Sequence, residues 1–302
     1  MGDPKISVVI PVRNGGETLR ACLDSVLCQT FPPLEVIVID DGSIDSTRAI
    51  LDEYADCLKV FEGNASGAGP ARNLGVSHAR GDYIAFLDAD DIWDAQKLEK
   101  QFSLLGGNAV VGAYAKYIAG EPGVFLGSSV RTATDSEATK MVYDAQGLPA
   151  LLSTWVLPKS AFLASGGFDP NYILAQDFEL AVRLARSGTQ FRVVREPIVT
   201  YRIHSESETA SNYIDQYLTA EYVKRKLGDA RPISLEEWFA SSRFMNSSRR
   251  KAWSGHFFRR GLVAIGHRRR LAAVLYLMIA TVLGPGQTLT KVARQSGIGW
   301  KK

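Results

Sequence analysis

Three short runs of the chain are almost continuously apolar and rich in β-branched residues: residues 6–10 (ISVVI), 34–40 (LEVIVID) and 83–88 (YIAFLD). Strands covered by helices on both faces read this way, because no solvated face is left to alternate with the buried one. Between the first two runs, Leu19, Cys22, Leu23, Val26 and Leu27 recur at i, i+3, i+4, i+7 and i+8, one apolar stripe along a helix. The pattern predicts a βαβ unit. It repeats downstream, where Gly42 makes a turn and Asp45, Ser46 or Thr47 is available to cap a helix carrying Ile50 and Tyr54. After LKVFE, the glycine-rich GNASGAGP leads into a helix beginning near Pro70, a residue suited to a first helical turn. Strands and helices in alternation predict a doubly wound α/β sheet.

Ligands of such sheets bind beyond the carboxyl ends of the strands, so the polar residues that follow each apolar run carry the chemistry. They are Pro11-Val12-Arg13-Asn14, Asp40-Asp41-Gly42-Ser43 and Asp88-Ala89-Asp90-Asp91. Five acids on one rim repel one another unless a cation or hydrogen-bond donors offset the charge. A divalent metal is the natural solution, and an oxygen-rich set favours Mg²⁺ or Mn²⁺; Mg²⁺ uses one or two protein carboxylates together with substrate phosphates. For Asp45, capping a turn is an equal alternative. Gly67 and Gly69 either let backbone approach a ligand closely or simply shape the loop before the helix.

The composition, 302 residues with 46% hydrophobic, 22% charged and 10% aromatic, excludes a disordered tail, a collagen-like repeat and a disulfide miniprotein. One large or two modest domains are expected. Cys22, Cys28 and Cys57 are an odd number without metal-ligand spacing, which favours a reducing compartment. The N-terminus shows no signal-peptide core, and Ile6 stands where myristoylation needs Ser or Thr. A cytoplasmic protein is expected. The net charge of +3 hides an asymmetry: residues 224–302 hold 17 Lys and Arg against three acids, +14, and residues 1–223 hold 18 against 29, −11. An acidic body with a basic tail assigns chemistry to one region and contact with a polyanion to the other.

In order and spacing, PVRN, VIDDGSIDST and GAGPARNLGVSHARGDYIAFLDADD resemble glycosyltransferase family 2, whose members have the GT-A fold, a doubly wound mixed sheet. The resemblance spans roughly residues 5 to 205. It implies that the backbone of Pro11, Val12 and Arg13 and the carboxylates of Asp41 and Asp40 hold the nucleotide base, and that Arg72 and Asn73 approach the nucleotide. In the D-x-D triplet Asp88-Ala89-Asp90 it makes Asp88 the neighbour of ribose or metal and Asp90 the direct metal ligand. The chemistry agrees: a metal held there stabilises the charge that develops on a departing diphosphate.

Further along, residues 154–188 resemble the family's acceptor-side segment, where a G-G-F-D turn precedes a helix opening with an acidic pair. Here the pair reads Gln176-Asp177, which leaves Asp177 as the candidate base. Phe178, Leu180, Ala181, Leu184 and Ala185 supply an apolar face behind it; an ordinary acid at a helix start is the alternative. Two extended runs, FRVVREPIVTYRIH, end at His204, in a context where the family's histidine reaches metal or diphosphate. Trp155 is expected to be buried rather than stacked on a sugar, and His78 to be structural.

The family pattern does not cover the tail, where arginine clusters interleave with aromatics: 249–251, Trp253, Phe257-Phe258, 259–260 and 267–270. Residues 271–283 are apolar except Thr281, too short for a spanning helix, so a helix in the membrane interface is expected, or a helical extension packed on protein. The expectation is therefore a GT-A catalytic domain over residues 1–222 and a basic helical extension over 223–302. The resemblance implies a hexosyltransferase-type enzyme. It would invert configuration while moving a sugar from a nucleoside-diphosphate sugar, a UDP-sugar by default, to a glycan or lipid-linked acceptor at the inner membrane face. The work implied is cell-surface polysaccharide or glycolipid synthesis. A sugar-nucleotide pyrophosphorylase needs an N-terminal triphosphate loop that PVRNGGETLR supplies poorly. A nucleic-acid-binding protein is the other alternative, motivated by the tail and opposed by the acidic body.

Overall fold

The apolar runs become strands of one sheet. The computed structural model describes residues 5–119, 124–128, 134–148, 151–203, 213–226, 256–257 and 275–280. In it β1 (Ile6–Val12), β2 (Glu35–Asp40) and β3 (Lys59–Glu62) run parallel, and β4 (Tyr83–Phe86) joins the other edge of β1, also parallel. α1 (Leu19–Leu27), α2 (Thr47–Glu53) and α3 (Ala68–His78) make the crossovers. Every residue of β1 and β2 is buried, as coverage on both faces requires. α1 buries Leu19, Cys22, Leu23 and Val26. Leu27, its last residue, lies past that stripe and is 38% exposed.

Downstream the sheet becomes mixed. The elements are β5 (Ile92–Trp93), α4 (Lys97–Phe102), β6 (Ala109–Ala119), β7 (Val124–Ser128), α5 (Asp135–Tyr143), a 3-10 turn (Leu152–Thr154), β8 (Val156–Pro158), α6 (Lys159–Ala164), α7 (Gln176–Arg186), β9 (Gln190–Ile203) and α8 (Tyr213–Lys226). The strand order is β3-β2-β1-β4-β8-β6-β9-β5, with β7 paired to β6. β8 is antiparallel to β4 and β6, and β5 to β9. The two extended runs expected before His204 form the single strand β9. β5 pairs only with Val199 and Thr200, so the N–H that Pro197 lacks is not needed on that side. Trp155 is fully buried, edge-on to Phe191 at 5.8 Å.

Backbone contacts divide the chain into two units, Met1–Ala115 with Arg131–Tyr201, and Lys116–Val130 with Arg202–Lys302. The second unit takes in a hairpin, because β6 and β7 pair with each other from Lys116 onward. The first unit contains the parallel strands and the core beneath them. At their amino ends, the buried Glu35 accepts bonds from Ser7 Oγ and Lys59 Nζ, both at 2.7 Å, and from the Arg80 N–H at 2.6 Å and Nε at 3.0 Å.

Candidate functional site

β1 has β2 on one side and β4 on the other, so the crevice beyond the carboxyl ends of β1 and β4 is the topological switch point of the sheet. Pro11 and Val12 close β1 and are buried, whereas Arg13 and Asn14 are exposed. The loop after β1 is stitched to the loop after β2. The Asn14 N–H donates to Ser43 Oγ, the Ile44 N–H to Asn14 Oδ1, the Gly15 N–H to Thr47 Oγ1 and the Gly16 N–H to Asp45 Oδ2, all at 2.8–2.9 Å. Asp45 also accepts the Thr47 N–H at 3.0 Å, so its carboxylate works for the loop, as the capping alternative held. The PVRN and DDGS segments thus form one rigid support.

Asp40, Asp41 and Asp88 each find partners of their own. Asp40 accepts the Ser43 N–H at 2.9 Å, with Arg48 Nε 3.7 Å away. Asp41 accepts the N–H groups of Ser66 at 3.2 Å and Gly67 at 2.8 Å, tying the glycine-rich loop to the end of β2. Gly67 has φ +96°, a conformation that favours glycine. Hydrogen-bond donors therefore offset these two charges. Asp88 is paired with Arg72, whose side chain is only 8% exposed and whose Nε has no hydrogen-bond partner among the described residues. The Arg72 guanidinium also lies 5.4 Å from the centroid of the Phe168 ring.

Asp177 enters the same electrostatic neighbourhood from α7. The turn before it is strained: Ala175 has φ +55°, a left-handed conformation that costs a non-glycine residue energy and recurs at functional sites. Burial pushes the Asp177 carboxyl above the ordinary aspartate range, and the charge of Asp88 adds to this. The Phe178 N–H, donating to Oδ1 at 2.8 Å, and Arg72 pull the other way. Asp88, Arg72 and Asp177 therefore sense one another, although 89 residues separate the two acids. Gln176, the departure from the family's acidic pair, packs its amide against α3; a Cβ on Gly69 would stand 2.5 Å from its Oε1. Close packing of the two helix starts is what Gly69 permits.

Asn73 has a structural task. Its Nδ2 donates to the Phe168 carbonyl at 2.8 Å and its Oδ1 accepts the Phe168 N–H at 2.9 Å, clamping the G-G-F-D turn to α3. Arg183 holds that turn from the other side, donating to the carbonyls of Ser165 and Gly167 while paired with Glu179. Sequence reasoning passed over Arg183, and also over Ser153, whose Oγ accepts the Asp88 N–H at 3.2 Å. Arg183 and Glu179 stood at the i, i+4 spacing of a helical ion pair, whereas nothing in the sequence marked Ser153.

The residues present fit a divalent cation held jointly with a ligand. Among the described residues no three His, Cys, Asp or Glu side chains come together as a metal cluster, but Mg²⁺ needs only one or two carboxylates when phosphates complete its shell. Asp88 has a third of its side chain open, and Ala89 and Asp90 are partly exposed in the turn that follows. His204 lies outside the described residues, as do most of the basic clusters and much of the 271–283 stretch. No helix among the described residues is long and apolar enough to cross a membrane.

Comparison with known proteins identifies the family and the fold. Residues 7–155 match the family model described as Glycosyl transferase family 2. The amylovoran biosynthesis glycosyltransferase AmsB of Erwinia amylovora is 30% identical over 217 residues, 67% of this chain and 71% of that one. The E. coli enzyme WfgD, named UDP-Glc:alpha-D-GlcNAc-diphosphoundecaprenol beta-1,3-glucosyltransferase, is 41% identical over 119 residues, 39% of this chain and 47% of that one. Among solved structures, residues 1–349 of S. aureus TarS in complex with UDP-GlcNAc superpose with a TM-score of 0.61 at 17% identity, covering 98% of this chain and 93% of that one. At that identity the likeness shows the fold, which is the mixed α/β fold of GT-A glycosyltransferases. With the AmsB match, the family model and the fold in agreement, the chain belongs to glycosyltransferase family 2.

Proposed function

We propose that this glycosyltransferase is an inverting, metal-assisted enzyme of the hexosyltransferase type that moves a sugar from a UDP-sugar to a hydroxyl of a glycan or lipid-linked acceptor. What supports the reading is that Asp88 pairs with Arg72 and that the charges of both bear on the Asp177 carboxyl, as a donor-side carboxylate, a cation and a base would require. The stitched loops around Pro11, Val12, Arg13, Asp40 and Asp41 would cradle the nucleoside, with Asp41 keeping the glycine-rich loop in place. Asp90 and Asp88, with His204, would hold Mn²⁺ or Mg²⁺, which when bound supplies charge neutralisation to the leaving diphosphate. Arg72 would add a second positive charge on the donor side.

The Asp177 carboxylate accepts the proton of the acceptor hydroxyl, whose oxygen forms a bond to the anomeric carbon. The bond from that carbon to the phosphate oxygen breaks, and its electron pair leaves with the nucleoside diphosphate. Attack opposite the leaving group inverts the centre. A carboxyl pushed upward by burial is a better proton acceptor once ionised. The WfgD name, which specifies a diphosphoundecaprenol acceptor, supports a lipid-linked acceptor. The +14 balance of residues 224–302 supports contact with an anionic membrane face through the extension. A thermal-shift panel of UDP, GDP, dTDP and their sugars with and without Mn²⁺ tests the donor side, because a bound ligand raises apparent stability by mass action. Metal-dependent stabilisation by one nucleotide is expected; none with any of them sinks the reading.

A further inference from the structure

We infer that a buried chain of contacts, from α4 through Trp93 to the 3-10 turn, sets the Asp88–Asp90 turn for donor binding, with Trp93 and Ser153 as positioning residues. Lys97 and Gln101, one helical turn apart on α4, are both fully buried. Lys97 Nζ donates to Gln101 Oε1 at 2.7 Å and stands 3.8 Å from the centroid of the Trp93 ring. Gln101 Nε2 donates to the carbonyls of Val111 at 2.8 Å and Thr154 at 2.7 Å. Trp93 Nε1 donates to the Ser153 carbonyl at 2.8 Å. The Ser153 hydroxyl then accepts the N–H of Asp88. Two consecutive carbonyls of the turn, those of Ser153 and Thr154, are pinned, and the Ser153 hydroxyl catches the first amide of D-x-D.

An apolar set of similar volume at these positions would avoid the desolvation that a buried lysine and glutamine suffer. Burial alone pushes the Lys97 amine well below the ordinary lysine range. What the polar set adds is direction: a donor or acceptor out of water must find its partner or lose more than the bond itself. The chain of bonds therefore admits one placement of the 3-10 turn, and through Ser153 one placement of the Asp88 backbone. Partners of this kind, one step behind the groups that hold a metal or phosphate, tune affinity through orientation.

The inference rests on Asp88 and Asp90 being donor-side carboxylates, and the test separates the two. Trp93→Phe keeps a ring beside Lys97 and removes the N–H; Ser153→Ala removes the hydroxyl. In the full chain, amide exchange across residues 87–91 is expected to rise about tenfold in both variants with β1 and β2 unchanged, and the Kd for UDP with Mn²⁺ to rise about tenfold. GDP and dTDP are measured alongside, and affinity is compared for whichever nucleotide the wild type binds most tightly. Unchanged exchange at 87–91, or faster exchange spread equally over β1 and β2, overturns the inference, since packing alone would loosen the whole sheet. Faster local exchange with unchanged nucleotide affinity overturns it as well. A wild type that binds none of the three nucleotides with Mn²⁺ overturns the donor-site reading itself, and this inference with it, whatever the exchange shows.

Discussion

Glu35, at the amino end of β2, and Asp177, at the start of α7, are both carboxylates drawn out of water, and the protein treats them in opposite ways. Burial alone would raise the Glu35 pKa, but Lys59, Ser7 and Arg80 outweigh it and hold the carboxyl at about 2. Asp177 has only backbone N–H groups and the charge of Arg72 against burial and the charge of Asp88, and its carboxyl is held high. At one end of the sheet polar groups satisfy the carboxylate and stabilise the fold. At the other a carboxylate is left under-satisfied, at a cost to folding, which suits the proton acceptor proposed above.

The sharpest way to break this comparison is Asp177→Asn. The amide still accepts the Phe178 N–H, so nucleotide affinity should hold, while steady-state turnover falls by about 10² to 10⁴-fold, the usual contribution of a general base; near-normal turnover would refute the assignment. Glu35→Gln should do the reverse, lowering the free energy of unfolding in denaturant titrations by about 2 kcal/mol, as lost charged hydrogen bonds do, with nucleotide binding untouched.

The pH dependence sharpens the same contrast. The Glu35 pKa is lower in the folded chain than its ordinary 4.5, so its stabilisation is complete above that value and fades as pH falls toward about 2. Wild type should lose about 2–3 kcal/mol more than Glu35→Gln across that window. Asp90→Ala should weaken Mn²⁺-dependent nucleotide binding, read by calorimetry, by at least about tenfold, the least that losing even an outer partner of a bound metal costs. The smallest effect has the opposite sign to the others. Asp177 is harder to ionise folded than unfolded, so Asp177→Asn should stabilise the fold at neutral pH by about 1 kcal/mol, as relieving a strained functional group does. That gain should vanish below pH 3.8, the ordinary value for the group.

Some of this was legible in one dimension. The unbroken apolar runs of β1 and β2 could only be strands with both faces covered, the stripe on α1 could only be one helix face, and polar residues directly after strands had to gather at one edge. Periodicity and chain direction determine those outcomes locally, and the spaced motifs carried the family resemblance on top of them. What tertiary structure alone decided is where each carboxylate finds its counter-charge. Asp40 and Asp41 turned to backbone N–H groups and Asp88 to an arginine on α3, because folding brought those donors within reach. Asn73 became a clamp on Phe168, 95 residues away, and Lys97 and Gln101, polar in sequence, became the interior of a hydrogen-bonded chain ending at Asp88. Hydrogen bonds and charges act over a few ångströms of space, not along the chain, so partners so far apart in sequence leave no periodic trace in it.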